Sequence, residues 1–478
     1  MIPNQSSTRP VWFIVASLTV GLLAYSQLVA YFGNEPFHLL AAQLIKSGET
    51  PYLDFFYQHP PFFALLIAVW MRLFGENWRS VHMLSALLTG GCILVVTSYL
   101  KSRLSTSNLS ILIVAALLLG LNFYVIAFGT VGLPYGLCLF LTAVAFRLMV
   151  SAVKRASVVR LFIAGLAAGA AAASLLLTVP VLLVLAVWLA RYSQESNRIR
   201  SCLAFLGGVV VPFLPLFFLA LKAPHEVFFD LVEYHLFHRV GSQGNMLRWN
   251  LREIRDWFGS IQGFLLVGLA IKGLTFATKI RERSWAAELY LCVWLAVALS
   301  LFLALPEPTF SFYFVLITPF LTILAASGLD SISRSSWFSN RRIWLTSALV
   351  GLYLVGLESE TYKMRREIFH SDHKAIEEIA TIVNRETPKD GWVLAFEQVY
   401  FQAKRRPPPG LENGFNPFSR EDEWLSANRF DTVCVMANDP RVQSLNLSAR
   451  YRESKTITLP DFAISLFWHP LNSASRPP

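Results

Sequence analysis

Apolar runs of about twenty residues recur along this chain, and that recurrence restricts its fold more than any other feature. VWFIVASLTVGLLAYSQLVAYF (11–32) opens the series, and FYFVLITPFLTILAASGLD (312–330) stands near its end. As a helix, a run of that length spans a hydrocarbon core of roughly 30 Å. Backbone N–H and C=O groups find no water there, so only helices and closed barrels cross. The runs are continuous and Leu-rich, without the alternation of a barrel strand. With 54% of 478 residues hydrophobic, too few polar residues remain to cover a soluble globule. The chain is expected to be a polytopic α-helical membrane protein.

Spans are expected near 11–32, 79–100, 109–127, 132–150, 161–177, 179–191, 203–221, 260–278, 286–304, 311–328 and 343–358, about 11 transmembrane helices. The first is too long for a signal-peptide core and lacks a cleavage site, so it is read as uncleaved. Alternate loops hold the basic residues: Lys101 and Arg103; Lys154, Arg155 and Arg160; Arg191, Arg198 and Arg200; Lys279, Arg281 and Arg283; Arg334, Arg341 and Arg342. The positive-inside rule makes these loops cytoplasmic, together with the N-terminus and its Arg9. That placement accounts for the +10 net charge without invoking nucleic acid. Cys92, Cys138, Cys202 and Cys292 lie in or beside apolar runs and Cys434 stands alone in the tail, which leaves no disulfide framework there.

Three segments then share the outer face: the loop 33–78, the loop 222–259 and the tail. In the first loop, Pro36–Lys46 and Pro60–Phe74 have helical apolar spacing but are short for a crossing, so they are read as interfacial helices. After Glu358 the apolar runs shrink. Ser371 is placed to cap a helix through Val383, and WVLAF (392–396), TVCVMA (432–437), KTITL (455–459) and FAISLFW (462–468) read as strands. The expected organisation is a transmembrane domain, 1–358, followed by a small α/β domain, 359–478.

The first outer loop reads as one unit. It contains Asn34-Glu35, a helix, Gly48, Pro51-Tyr52, Asp54, His59-Pro60-Pro61 and a second helix ending in Phe74-Gly75. This resembles the first outer loop of GT-C membrane glycosyltransferases of the family 39/83 type, related to protein O-mannosyltransferases and aminoarabinose transferases. The late span 312–330 and the segment GWVLAFEQVYFQAKRRPPPG are similar to that family's late span and outer domain. The resemblance implies transfer of a sugar from a polyprenyl-phosphate donor to a lipid, glycan or protein acceptor outside the membrane, with inversion. It also implies a bacterial inner-membrane location. Asn34 stands where the family often has Asp, and an amide cannot serve as a base at neutral pH. The base role passes to Asp54, held between Pro51-Tyr52 and the stiff His59-Pro60-Pro61, and secondly to Glu35.

Each candidate also has a plainer reading. Glu35 can cap the helix that begins at Pro36, and Asp54 can be an ordinary interfacial acid. Tyr52, His59 and Tyr313 are expected to line the substrate site by position in the family pattern. In the second loop His235, His238, Arg239, Arg248 and Arg252 form a cationic stretch suited to a phosphate, or else a solvated helix beside anionic headgroups. No cofactor is implied. A divalent metal at Glu233, His235 and His238 is conceivable, but no ligand motif supports it and the three side chains cannot converge from one helix. The principal alternative is a transporter or flippase for a lipid-linked substrate, which would carry ionisable groups at mid-bilayer. The expected spans are nearly free of charge, Lys272 being the clearest exception, and the polar residues crowd into the loops. A receptor role for the tail is the third reading, and no binding motif in the tail supports it.

Overall fold

The structure is a computed structural model describing residues 8–104, 108–193, 198–239, 246–280, 282–306, 308–334, 342–365, 373–414, 416–417, 419–459 and 462–471. Each expected apolar segment is largely helical, the first ending at Ser26 rather than Phe32, but among the described residues fewer than the eleven expected are long enough to cross on their own. Arg9–Ser26, Trp78–Lys101, Tyr135–Arg155, Arg198–Lys222, Arg283–Leu303 and Ser311–Ser333 are each long and apolar enough to cross a membrane. Leu109–Gly120 with Phe123–Gly129, and Met246–Phe258 with Ile261–Ala277, reach that length only as pairs bent by 52° and 73°. The described residues therefore hold six such helices, or eight counting each bent pair as one span, alongside the shorter apolar helices Val158–Ser174 and Leu176–Tyr192.

The chain divides into two compact units, one drawn from residues 1–28, 82–218 and 240–363, the other from 29–81, 219–239 and 364–478. In the first unit, small residues set how closely helices approach. Gly165 and Gly169 of Val158–Ser174 lie against the backbone of Phe205 and Val209, and Gly208 lies against the Phe162 carbonyl. Gly273 meets the Leu324 carbonyl and Gly328 the Leu269 carbonyl in the same way. A methyl group at any of these positions would overlap a facing backbone atom. Such contacts matter most in lipid, where helix association rests on packing rather than on expulsion of water.

The bend at Leu121–Asn122 shows how a broken helix is tolerated. Asn122 caps the second segment through its side chain and Val125 N (3.3 Å). Gln262 accepts from Phe123 N (2.8 Å) and donates to the carbonyls of Leu121 (2.9 Å) and Tyr353 (3.1 Å). Tyr353 donates to the Leu118 carbonyl (2.6 Å). Neighbouring side chains thus satisfy backbone groups that the break would otherwise strand. Elsewhere in this unit, buried Glu288 accepts from Tyr99 Oη (2.8 Å), pairs with Arg103, and lies 3.3 Å from Lys154 Nζ.

In the second unit, the two short helices of the first loop form as expected, Glu35–Lys46 and Phe62–Phe74, the latter ended by Gly75 at φ 96°. The tail folds into His373–Glu386, Glu397–Ala403 and Glu421–Ser426 beside a four-stranded sheet. Its strands are β1 (Val393–Leu394), β2 (Thr432–Met436), β3 (Tyr451–Thr458) and β4 (Ala463–Pro470), in the order β1-β2-β4-β3. β1 and β2 are parallel, whereas β2–β4 and β4–β3 are antiparallel, with Val433 opposite Phe467. Leu394, Trp424, Leu425, Phe430, Val433, Tyr451 and Phe467 make its core. The proposed cap Ser371 lies outside the described residues. Gln43 and Tyr31 tie the first loop to the tail helix Glu397–Ala403 through the Phe401 carbonyl (3.1 Å) and Gln402 (2.7 Å).

Gly165→Leu or Gly273→Leu is expected to lower stability by about 1–3 kcal/mol through overpacking. Gly268→Leu, with nothing within 4 Å of its would-be Cβ, is the control. Thermal unfolding of the three variants in one detergent checks this; equal midpoints would refute the close-packing account.

Candidate functional site

The turn after the helix Glu35–Lys46 is built by its own polar groups. Asp54 Oδ2 accepts from Thr50 N (2.7 Å), Asp54 N donates back to the Thr50 carbonyl (2.9 Å), and Tyr52 N donates to the Phe55 carbonyl (2.9 Å). This turn holds Tyr52 at φ 71°, a left-handed conformation that bulky residues rarely adopt. Its hydroxyl donates to the His59 carbonyl (2.7 Å), which helps offset the strain. Asp54 is exposed on the turn, whereas Glu35 is fully buried and accepts from Phe32 N (3.0 Å). That contact reaches back to the chain before the helix and caps none of the helix's own N–H groups, whose N-cap Asn34 makes no side-chain cap bond.

Beyond the turn, three consecutive residues are pinned at the backbone by side chains. Tyr57 N donates to Asp230 Oδ2 (2.8 Å), the Gln58 carbonyl accepts from His235 Nε2 (2.8 Å), and the His59 carbonyl accepts from Tyr52. Around them the rings close up. Tyr57 stacks on Phe37 with centroids 5.0 Å apart, and its hydroxyl shares a 3.2 Å hydrogen bond with His38 Nδ1. His38 lies 5.0 Å from His59, and His59 lies 6.3 Å from His235. Phe56, Phe229 and Tyr234 form an apolar cluster in the same unit.

Burial governs the charge states here. It pushes His38 down to about 3. Burial also lowers His59, with His38, His235 and Arg239 adding repulsion. His235 is lowered by burial too, against the opposing effect of its bond to Gln58. Asp230 moves the other way: burial, opposed by the Tyr57 N–H and reinforced by Glu226, raises its carboxyl to about 7. The cluster therefore contains neutral imidazoles and a carboxyl that changes charge near neutral pH.

The second loop departs from an ordinary helix. Phe229–His238 winds as a π-helix, with Arg239 N donating to the carbonyl of Tyr234 five residues back (2.8 Å). The i, i+3 face expected for His235 and His238 is consequently lost. His235 turns to Gln58, whereas His238 is exposed and packs against Phe229 (5.5 Å). Arg239 shares the unit of Tyr52, His59 and His235. Arg248, Arg252 and Tyr313 belong to the other unit, where exposed Arg252 lies 3.5 Å from Asp256 and Tyr313 packs against Phe310 and Phe312. Among the described residues, no group of three or more His, Cys, Asp or Glu is arranged to hold a metal ion.

Asp230 and Tyr57 were not singled out from the sequence. The available signal was Asp230 inside VFFDLV, an acid flanked on both sides by large apolar residues. In the tail, Arg405 donates to the carbonyls of Thr387 (2.8 Å) and Pro388 (2.7 Å), and Arg406 pairs with Glu49 (3.0 Å).

Residues 58–220, about a third of the chain, match the family model described as dolichyl-phosphate-mannose-protein mannosyltransferase. No curated protein matches the chain by sequence. Among solved structures, the fold is similar to ArnT from Cupriavidus metallidurans bound to undecaprenyl phosphate, with a TM-score of 0.68 at 14% identity over 96% of this chain and 98% of that one. The apo state of the same protein gives a TM-score of 0.65 at the same identity and coverage. The archaeal oligosaccharyltransferase AglB from Archaeoglobus fulgidus gives 0.57 at 12% identity over 90% of this chain and 70% of that one. The family match begins at the Gln58-His59-Pro60-Pro61 segment of the first loop, and the fold is shared with these structures over nearly the whole chain.

The opposed shifts predict a definite pH response. His38, lowered in the fold, contributes stability present above about 6.5 and lost as pH falls toward 3. Asp230, raised in the fold, contributes stability present below about 3.8 and lost as pH rises through 7. Between about 4 and 6 these two nearly cancel, and lowered His59 and His235 tip the balance toward acid destabilisation. His38→Phe is expected to make the acid loss shallower by about 1.4 kcal/mol per pH unit below 6.5. Unfolding free energies measured from pH 7.5 to 5 check this, and an unchanged slope would refute burial of a neutral His38.

Proposed function

We propose that this chain is an integral-membrane glycosyltransferase that moves a sugar from a polyprenyl-phosphate-linked donor to an acceptor at the outer face of the membrane. The observation that carries the reading is the family match, which begins at residue 58 within the pinned segment 57–59. The lipids named with the fold relatives are undecaprenyl phosphate and dolichol-phosphate, and a sugar-loaded phosphate of that lipid class is the donor proposed here.

Asp54 is the proposed general base, with Glu35 second. An exposed carboxylate can meet an acceptor directly, whereas Glu35 would first have to leave full burial and its bond to Phe32 N. Tyr52 and the half-buried His59 line the pocket in this scheme, and His235 supports it through Gln58. Arg239 offers the nearby permanent cation for the leaving phosphate. His238, Arg248, Arg252 and Tyr313 are further proposed substrate contacts, which require the second loop and the late span to take part. The proposed topology keeps the N-terminus cytoplasmic and residues 359–478 outside, in a bacterial inner membrane, with about eleven crossings.

The chemistry makes a sharp demand. Attack of the acceptor on the anomeric carbon breaks the bond to the phosphate oxygen; the base takes the acceptor proton and the polyprenyl phosphate leaves with the electron pair. Asp54→Asn is expected to reduce transfer by roughly 10²–10⁴-fold while leaving the unfolding temperature within a few degrees. Reconstituted protein supplied with radiolabelled polyprenyl-phosphate sugars is the assay. Wild-type rates in the variant would remove Asp54 from the base role. A wild type that transfers from none of these donors, yet scrambles a fluorescent polyprenyl phosphate across liposomes, would replace the transferase with the flippase reading.

A further inference from the structure

We infer that Asp230 is a positioning residue for the transfer site, acting through the Tyr57 amide to fix the segment that presents His59. The inference rests on the transferase reading and adds a residue to it. Three neighbouring backbone groups, Tyr57 N, Gln58 O and His59 O, are each held by a side chain from outside the segment. Two of those side chains, Asp230 and His235, come from one π-helix, and the third is the strained Tyr52. An extended strand would satisfy such groups through a neighbouring backbone. This segment has only side chains for the purpose, so each bond controls the position of one residue.

Asp230 has the most at stake among the three. It is 4% exposed and no cation is paired with it by an ion pair among the described residues, so the Tyr57 N–H is a principal partner for its buried charge. Exposed Glu226 from the same loop and Tyr52 from the turn interact electrostatically with it, and His59, His235 and Arg239 interact with one another in the same unit. A buried carboxyl held this way is costly for stability alone, since an apolar side chain would fill the place without the desolvation penalty. Its benefit lies in direction. A single N–H···O bond sets where Tyr57 sits, and the Tyr57 ring in turn packs 6.0 Å from His59 and bonds His38.

The test compares Asp230→Ala, Asp230→Asn and wild type in the reconstituted transfer assay, with hydrogen exchange of the peptide covering 55–59 as a second readout. Asp230→Ala is expected to lower kcat by ten- to a hundred-fold, roughly the cost of a small misplacement in a site, and to speed exchange at Tyr57. Asp230→Asn keeps a carbonyl acceptor for the Tyr57 N–H and is expected to recover most of that loss. Wild-type kcat and exchange in Asp230→Ala would overturn the inference, as would a kcat loss in Asp230→Asn without faster exchange at Tyr57. The Asn variant decides the matter if the Ala protein does not fold: near-wild-type kcat and exchange support the positioning contact, and a kcat loss at unchanged exchange overturns it. Absence of transfer by wild type from every donor would instead strike the transferase reading, while faster exchange in Asp230→Ala would still support the positioning contact.

Discussion

A backbone polar group removed from water must find a partner, and both units of this chain are shaped by that constraint. In the first unit it produces long helices, and where a helix breaks at Leu121–Asn122, Gln262 and Tyr353 take up the released groups. The close glycine contacts depend on the same economy, because helices whose backbone bonds are satisfied internally can approach until carbonyl meets glycine. In the second unit the segment 57–59 is irregular, and side chains provide what regular structure does not. The irregular backbone there is specified by chemistry, one residue at a time.

That mode of construction explains the electrostatic character of the candidate site. Packing buried His38 and half-buried His59 among Phe37, Tyr57 and Phe63, with His235 beside His59, limits their contact with water, and the neutral imidazole is favoured. Asp230 is subject to the same desolvation and is driven toward its protonated form. Asp54 sits in a different environment, an exposed turn stabilised by Thr50. The two acids of the opening loop and the acid of the second loop therefore sit differently: Glu35 is buried against the Phe32 amide, Asp54 faces solvent, and Asp230 holds the Tyr57 amide.

Much of the frame was legible in the residues themselves. The apolar runs, the two short helices around Pro51–Pro61, the helix through Val383 and all four strands appear where periodicity and turn residues put them. Such features depend on local spacing, and local spacing is what a linear text records. The second loop was read less well. Its arginines and histidines looked like one cationic stretch, yet π-helical winding separates His235 from His238, and Arg248 and Arg252 fall in the other unit. A hydrogen bond from residue 57 to residue 230 leaves no periodic trace, so Asp230 had only its apolar flanks to mark it.

The sequence by itself determined that this chain lives in a membrane, that its polar chemistry is concentrated in loops, and that PYLD and HPP frame the first of them. Hydrophobic length and the rigidity of proline are properties of short segments, and they hold in any fold the chain could adopt. Only the tertiary structure decided which acid is buried, which is exposed and which histidine meets which carbonyl. Those outcomes turn on desolvation and on contacts between residues far apart in the chain, as with the Tyr57 amide and Asp230, and neither exists until the chain has folded.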